Sequence, residues 1–127
     1  MPRSRSTARQ AGSRCERVVA DYLAATLGDD RIDRRVKTGA KDCGDIGGLR
    51  HHGHRLVVEV KDVAKQDLPG WTSQAHIEAC NDDALMGFVV AKRRGTTDPG
   101  RYWVHMTLDD LLALLTLERH GHRKDIA

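Results

Sequence analysis

The chain has 127 residues, one domain's worth. Apolar residues make up 39% and charged residues 31%, which excludes a disordered chain; aromatics are only 4%, so the core must be Val, Leu, Ile and Ala. The formal charge is only +3, but residues 1–14 carry Arg3, Arg5, Arg9 and Arg14 and no acid, as the end of a polyanion-binding protein would.

Residues 1–12 are basic and aperiodic and predict a flexible arm. No apolar stretch follows them, so the expectation is no secretory signal, and no apolar run is long enough for a membrane span. From residue 13 the pattern turns helical: Cys15, Val19, Tyr22, Leu23 and Leu27 share one face, and Gly28 is a C-terminal stop. The spacing predicts a helix over 13–27, with Ser13 and Glu16 as its capping box. Residues 31–37 read as a basic strand, followed by a Gly-bearing turn. Residues 45–49 and 55–61 flank His51-His52-Gly53-His54 and read as a hairpin. The histidines are expected at an exposed tip rather than on a metal. A second helix is predicted over 70–83 and strands over 86–92 and 101–106. Thr107 and Asp110 form a capping pattern for a third helix carrying Leu108, Leu111, Leu112 and Leu115.

The order α-β-β-β-α-β-β-α predicts an α/β fold, a mixed central sheet of about five strands flanked by helices. The expected organisation is an arm at 1–12, one domain at 13–118 and a polar tail at 119–127. Cys15, Cys43 and Cys80 are odd in number and widely spaced, which fits reduced thiols in a cytoplasmic protein.

The chemistry-bearing signal is Asp45 with Glu59-Val60-Lys61. Strand alternation puts Glu59 and Lys61 on one face, and the hairpin brings Asp45 beside Glu59. Two adjacent carboxylates repel, and a hard divalent cation relieves this. Lys61 beside them would polarise a water, a set suited to phosphodiester hydrolysis. The bland reading of Glu59-x-Lys61 is a surface ion pair; Val57, Val58 and Val60 argue for a buried strand instead. Glu16 is read either as a helix cap or as a third carboxylate reaching the cation. Gln74, early in the second helix, orients water or phosphate or is simply exposed.

These residues resemble the PD-(D/E)XK nuclease superfamily, most closely the archaeal-type Holliday junction resolvases. Gly12-Ser13-Arg14-Cys15-Glu16-Arg17 is similar to that family's opening helix, Arg35 to Gly39 to its basic strand and loop, Asp45-Ile46 to its metal-binding Asp and Glu59-Val60-Lys61 to its E-x-K. Gln74 is similar to a glutamine found after E-x-K in some superfamily nucleases. Phe88-Val89-Val90-Ala91 and Trp103 resemble later core strands, and the likeness covers residues 12–115. It implies a restriction-endonuclease-like core. It also implies Mg²⁺, replaceable by Mn²⁺, on Glu16, Asp45 and Glu59, with Lys61 assisting the attacking water. A homodimer cutting four-way DNA is implied too. Gly44 stands where the motif has Pro, and Thr38-Gly39-Ala40-Lys41 replaces the family's Gly- and Ser-rich loop.

Phosphate contacts are expected from three basic clusters. The arm supplies Arg3, Arg5, Arg9 and Arg14. The first strand region supplies Arg34, Arg35, Lys37 and Lys41. The loop after residue 91 supplies Lys92, Arg93 and Arg94. Trp71 and Trp103 are expected in the core or a dimer interface, with Leu114 and Leu117 adding apolar area. The alternatives are a restriction-like, nicking or other endonuclease of the same fold, or a DNA-binding module without catalysis.

Overall fold

A computed structural model describes residues 3–37 and 39–120. Thr38 of the predicted loop and most of the predicted tail, 121–127, lie outside the described residues.

The first helix, α1 (Arg5–Leu27), starts inside the segment expected to be a flexible arm. Its N-cap is Ser4, whose hydroxyl accepts the Thr7 N–H at 3.2 Å. Ser13 is therefore mid-helix, and the Ser13–Glu16 capping box does not form. Residues 3–10 are exposed, so they need no apolar stripe; Ala8, Gln10 and the arginines are good helix formers by themselves. Gly28, at φ +63°, ends the helix with its N–H turned back to the Ala24 and Ala25 carbonyls.

The strands are β1 (Asp33–Arg34), β2 (Ile46–Gly47), β3 (Arg50–His51), β4 (His54–Lys61), β5 (Met86–Ala91) and β6 (Trp103–His105). Helix α2 (Leu68–Asn81) lies between β4 and β5, and α3 (Leu108–Thr116) follows β6. The fold is α/β, with a mixed six-stranded sheet in the order β1-β2-β4-β5-β6 and β3 paired to β4. Among the described residues only β4 and β5 run parallel, from Leu56 opposite Met86 to Lys61 opposite Ala91. The predicted strand over 31–37 shrinks to two residues at the sheet edge, where Val36 is exposed. The first hairpin strand is split into β2 and β3 at Gly48 (φ +84°), which adds the sixth strand. His52 and Gly53, both at positive φ, make the tight turn of the exposed histidine tip.

Alternation along β4 sorts its two faces. Ile46, Val58 and Val60 pack with Cys15, Val19 and Ala20 of α1, and Ala113 of α3 joins this cluster. Val57 packs on Ala79 of α2, while Val89 and Ala91 pack on Trp71 and Ala75. The sheet is thus covered on both faces, and Glu59 and Lys61 share the α2 face with Val57. The Thr107–Asp110 capping box forms as the sequence predicts, with reciprocal bonds of 3.1 and 3.0 Å. Asp110 also holds His76 of α2 at 2.9 Å, tying α3 to α2. Leu114 and Leu117 pack against the core, so the exposed leucines of α3 are instead Leu108, Leu111 and Leu115. Trp71 is buried; Trp103, on the edge strand, is half-exposed rather than core. The three thiols are free; burial pushes that of Cys15 up to about 11.

Gly44 adopts φ +97°, which a proline ring fixed near −65° cannot reach. A methyl group there would meet Val57 Cγ1 at 2.7 Å and the Val58 carbonyl at 3.1 Å. Gly44→Ala is expected to cost about 2 kcal/mol in urea unfolding, from strain plus overpacking. An unchanged midpoint would show that the backbone here relaxes freely.

Candidate active site

Asp45 is fixed by three bonds at the start of β2. Its N–H donates to the Val58 carbonyl at 3.0 Å, and its carbonyl accepts the Arg35 N–H at 2.8 Å. Its Oδ2 accepts the Val60 N–H at 2.8 Å. Asp45 thus bonds β4 on either side of Glu59, by its backbone N–H at Val58 and by its carboxylate at Val60, and Asp45 and Glu59 are buried, at 1% and 3% exposure. The hairpin pairing read from the sequence brings these two together.

Glu16, buried on α1, approaches from the other side. Lys37 stands between it and Asp45: its ammonium bonds Asp45 Oδ1 and lies 3.8 Å from Glu16 Oε2. Arg34 Nε donates to Glu16 Oε1 at 3.4 Å. Among the described residues, no three His, Cys, Asp or Glu side chains stand close enough to hold a metal ion as arranged. Lys37, predicted as a DNA contact, supplies positive charge to two carboxylates.

On the α2 face, Lys61 Nζ lies 3.4 Å from Glu59 Oε2 and donates to Gln74 Oε1 at 2.7 Å. Gln74 Nε2 donates onward to Glu78 Oε2 at 3.4 Å. Gln74 is thus neither free nor exposed but positions Lys61. Glu78, 3% exposed, escaped the sequence reading. Its signal was its place in the stripe Trp71, Gln74, Ala75, Glu78, Ala79, spaced as one buried helix face. Glu59 Oε1 and Glu78 Oε1 are buried without a hydrogen-bond partner among the described residues. Burial first, and then the negative charge of Glu78, push the Glu59 carboxyl up to about 8. Burial also raises Glu78. The Glu59 and Glu78 carboxyls share a hydrogen bond, so a proton held between them offsets part of the cost of burying two acids side by side.

The predicted phosphate contacts divide into two kinds. Arg34, Arg35 and Lys37 are held by carboxylates, Arg35 by Asp82 at 2.9 and 3.2 Å. Arg3 is tied to Asp62, donating to its carbonyl at 3.0 Å. Arg5, Arg9 and Arg14 are exposed along α1, and Lys41 is exposed beside a short 3-10 turn over Gly39–Lys41. Lys92 and Arg94 are exposed, and Arg93 lies over the Trp103 ring at 4.4 Å.

Comparisons of the chain with protein-family models, with curated proteins and with solved structures give no match. Among the described residues, no helix is long and apolar enough to cross a membrane.

Proposed function

We propose that this protein is a divalent-cation-dependent DNA endonuclease with a restriction-endonuclease-like core, acting on four-way junctions as a homodimer. The observation that carries the reading is the Asp45 carboxylate clamped to the Val60 amide, beside buried Glu59 and partly buried Lys61. Asp45 and Glu59 would hold Mg²⁺ or Mn²⁺, with Glu16 joining once Lys37 swings away. Such a cation, held by those residues, would supply positive charge at the scissile phosphate. Lys61, held by Gln74, is placed to orient the attacking water. Paired incision calls for two sites, and exposed Val104, Leu108, Leu111 and Leu115 supply apolar area for a second copy.

A second reading is a DNA-binding module without catalysis. It is favoured by the Lys37 ammonium, which already neutralises Asp45 and Glu16.

The test is a cleavage assay on an end-labelled four-way junction and a matched linear duplex, with Mg²⁺, Mn²⁺ or EDTA. Paired, metal-dependent cuts near the junction centre are expected, reduced about a thousandfold in Asp45→Asn. Equal cutting of the duplex discards the junction preference. Binding without cutting under either metal leaves the module.

A further inference from the structure

A cleft of about 990 Å³ opens just beyond the C-terminal ends of the parallel strands β4 and β5. Its walls are Arg3 and Ala8 from the N-terminal end of α1, residues 62–64 after β4, and residues 92–97 after β5. Open α/β sheets place ligands at this edge. The Lys92 N–H donates to the Lys61 carbonyl at 2.9 Å, so the cleft floor is continuous with the strand that carries Glu59 and Lys61.

The charge in this cleft is unbalanced. It is lined by four cations and one acid, Asp62, which is already paired with Arg3 at 3.4 Å. Lys92, Arg93 and Arg94 have no carboxylate partner among the described residues. Three unneutralised cations in one concavity raise the local potential and draw an anion. Arg93 is also preorganised. Its guanidinium carbon lies over the Trp103 ring at 4.4 Å, a cation–π contact that restrains the side chain at the cleft wall. The volume is near the top of the ~300–1,000 Å³ range of ligand sites, room for a length of chain rather than a single ion.

We infer that this cleft holds the sugar–phosphate backbone of a DNA strand next to the candidate active site, with Lys92, Arg93 and Arg94 as its phosphate contacts and Trp103 as the residue that positions Arg93. The inference rests on the nuclease reading only for the nature of the polyanion, not for any catalytic step. It accounts for a half-exposed tryptophan on an edge strand.

The experiment is fluorescence anisotropy with a labelled four-way junction in EDTA, across a salt series. Lys92→Ala/Arg94→Ala removes two exposed charges without touching the core. It should weaken binding about tenfold or more and lower the salt slope by about 1.8, two phosphates' worth. Arg50→Ala, exposed on β3 beside the opposite end of β4, is the control for loss of surface charge. Trp103→Leu should weaken binding several-fold, Trp103→Phe should restore most of it, and Trp103→Leu should add nothing to Arg93→Ala. The inference is overturned if the cleft variant and the control bind alike with equal slopes. It is equally overturned if wild-type protein prefers free tripolyphosphate to DNA. Junction binding that depends on the cleft, with no cutting under Mg²⁺ or Mn²⁺, removes the nuclease reading alone. Metal-dependent cutting with unchanged binding by the cleft variant removes this inference alone.

Discussion

Lys37→Met is expected to destabilise the fold by about 2 kcal/mol at neutral pH, and added Mg²⁺ to restore more stability to the variant than to wild type. Asp45 is almost wholly buried, and Lys37 supplies the cation on its Oδ1. Removing one partner leaves a buried charge uncompensated, a cost of roughly 3–5 kcal/mol in a deep site. Here the lysine side chain is half-exposed at 54%, and the Val60 amide still binds the carboxylate, so the smaller figure applies. A divalent cation on the same oxygens would take over the role of the ammonium and stabilise by mass action. Thermal melts with Mg²⁺ and with EDTA measure both effects. Lys37→Met/Asp45→Asn should recover most of the loss; a double-mutant cycle with no coupling would show that the pair contributes nothing.

Glu59→Gln is expected to be more stable than wild type above pH 8, by about 2 kcal/mol in EDTA, and equally stable below about pH 4. The folded carboxyl titrates at about 8, against 4.5 for the ordinary group. A raised carboxylate pKa means that the folded state holds the proton more tightly than the unfolded chain. Its contribution is complete below about 4.5 and is lost as pH rises through 8. Above that, wild type carries a buried anion next to Glu78, and Lys61 at 3.4 Å offsets it only in part. Glutamine keeps the shape and carries no charge. Urea unfolding at several pH values tests this; parallel curves for the two proteins would mean that Glu59 ionises without cost. The same substitution should abolish any metal-dependent cleavage, so stability and activity move in opposite directions.

Much of this site was legible because strands impose simple rules. Period-two alternation placed Glu59 with Lys61, and hairpin pairing placed Asp45 beside them. What escaped depends on three dimensions. Lys37 lies eight residues from Asp45 on an irregular segment, and no periodicity says that its ammonium turns inward to two carboxylates. Glu78 was hidden because a buried acid on an apolar stripe looks like an exposed one until the neighbouring sheet is known. The first two turns of α1 were missed for the opposite reason. Apolar spacing detects helices that pack, and this stretch is held by its cap and its propensities. Gly44 was legible only as a turn residue: that the backbone leading into Asp45 takes a positive φ shows only in three dimensions.

The parallel pairing of β4 with β5 also has a consequence for synthesis. A ribosome releases this chain from the N-terminus, and Glu16, Asp45, Glu59, Lys61 and Gln74 all emerge before β5 begins at Met86. Until then β4 has an open edge, and α2 lacks the Val89 and Ala91 side chains that seat Trp71 and Ala75. Parallel strands cannot meet through a tight turn and must wait for the crossover to fold back. A nascent chain thus carries every one of these side chains before β5 arrives to hold β4 and α2 against each other.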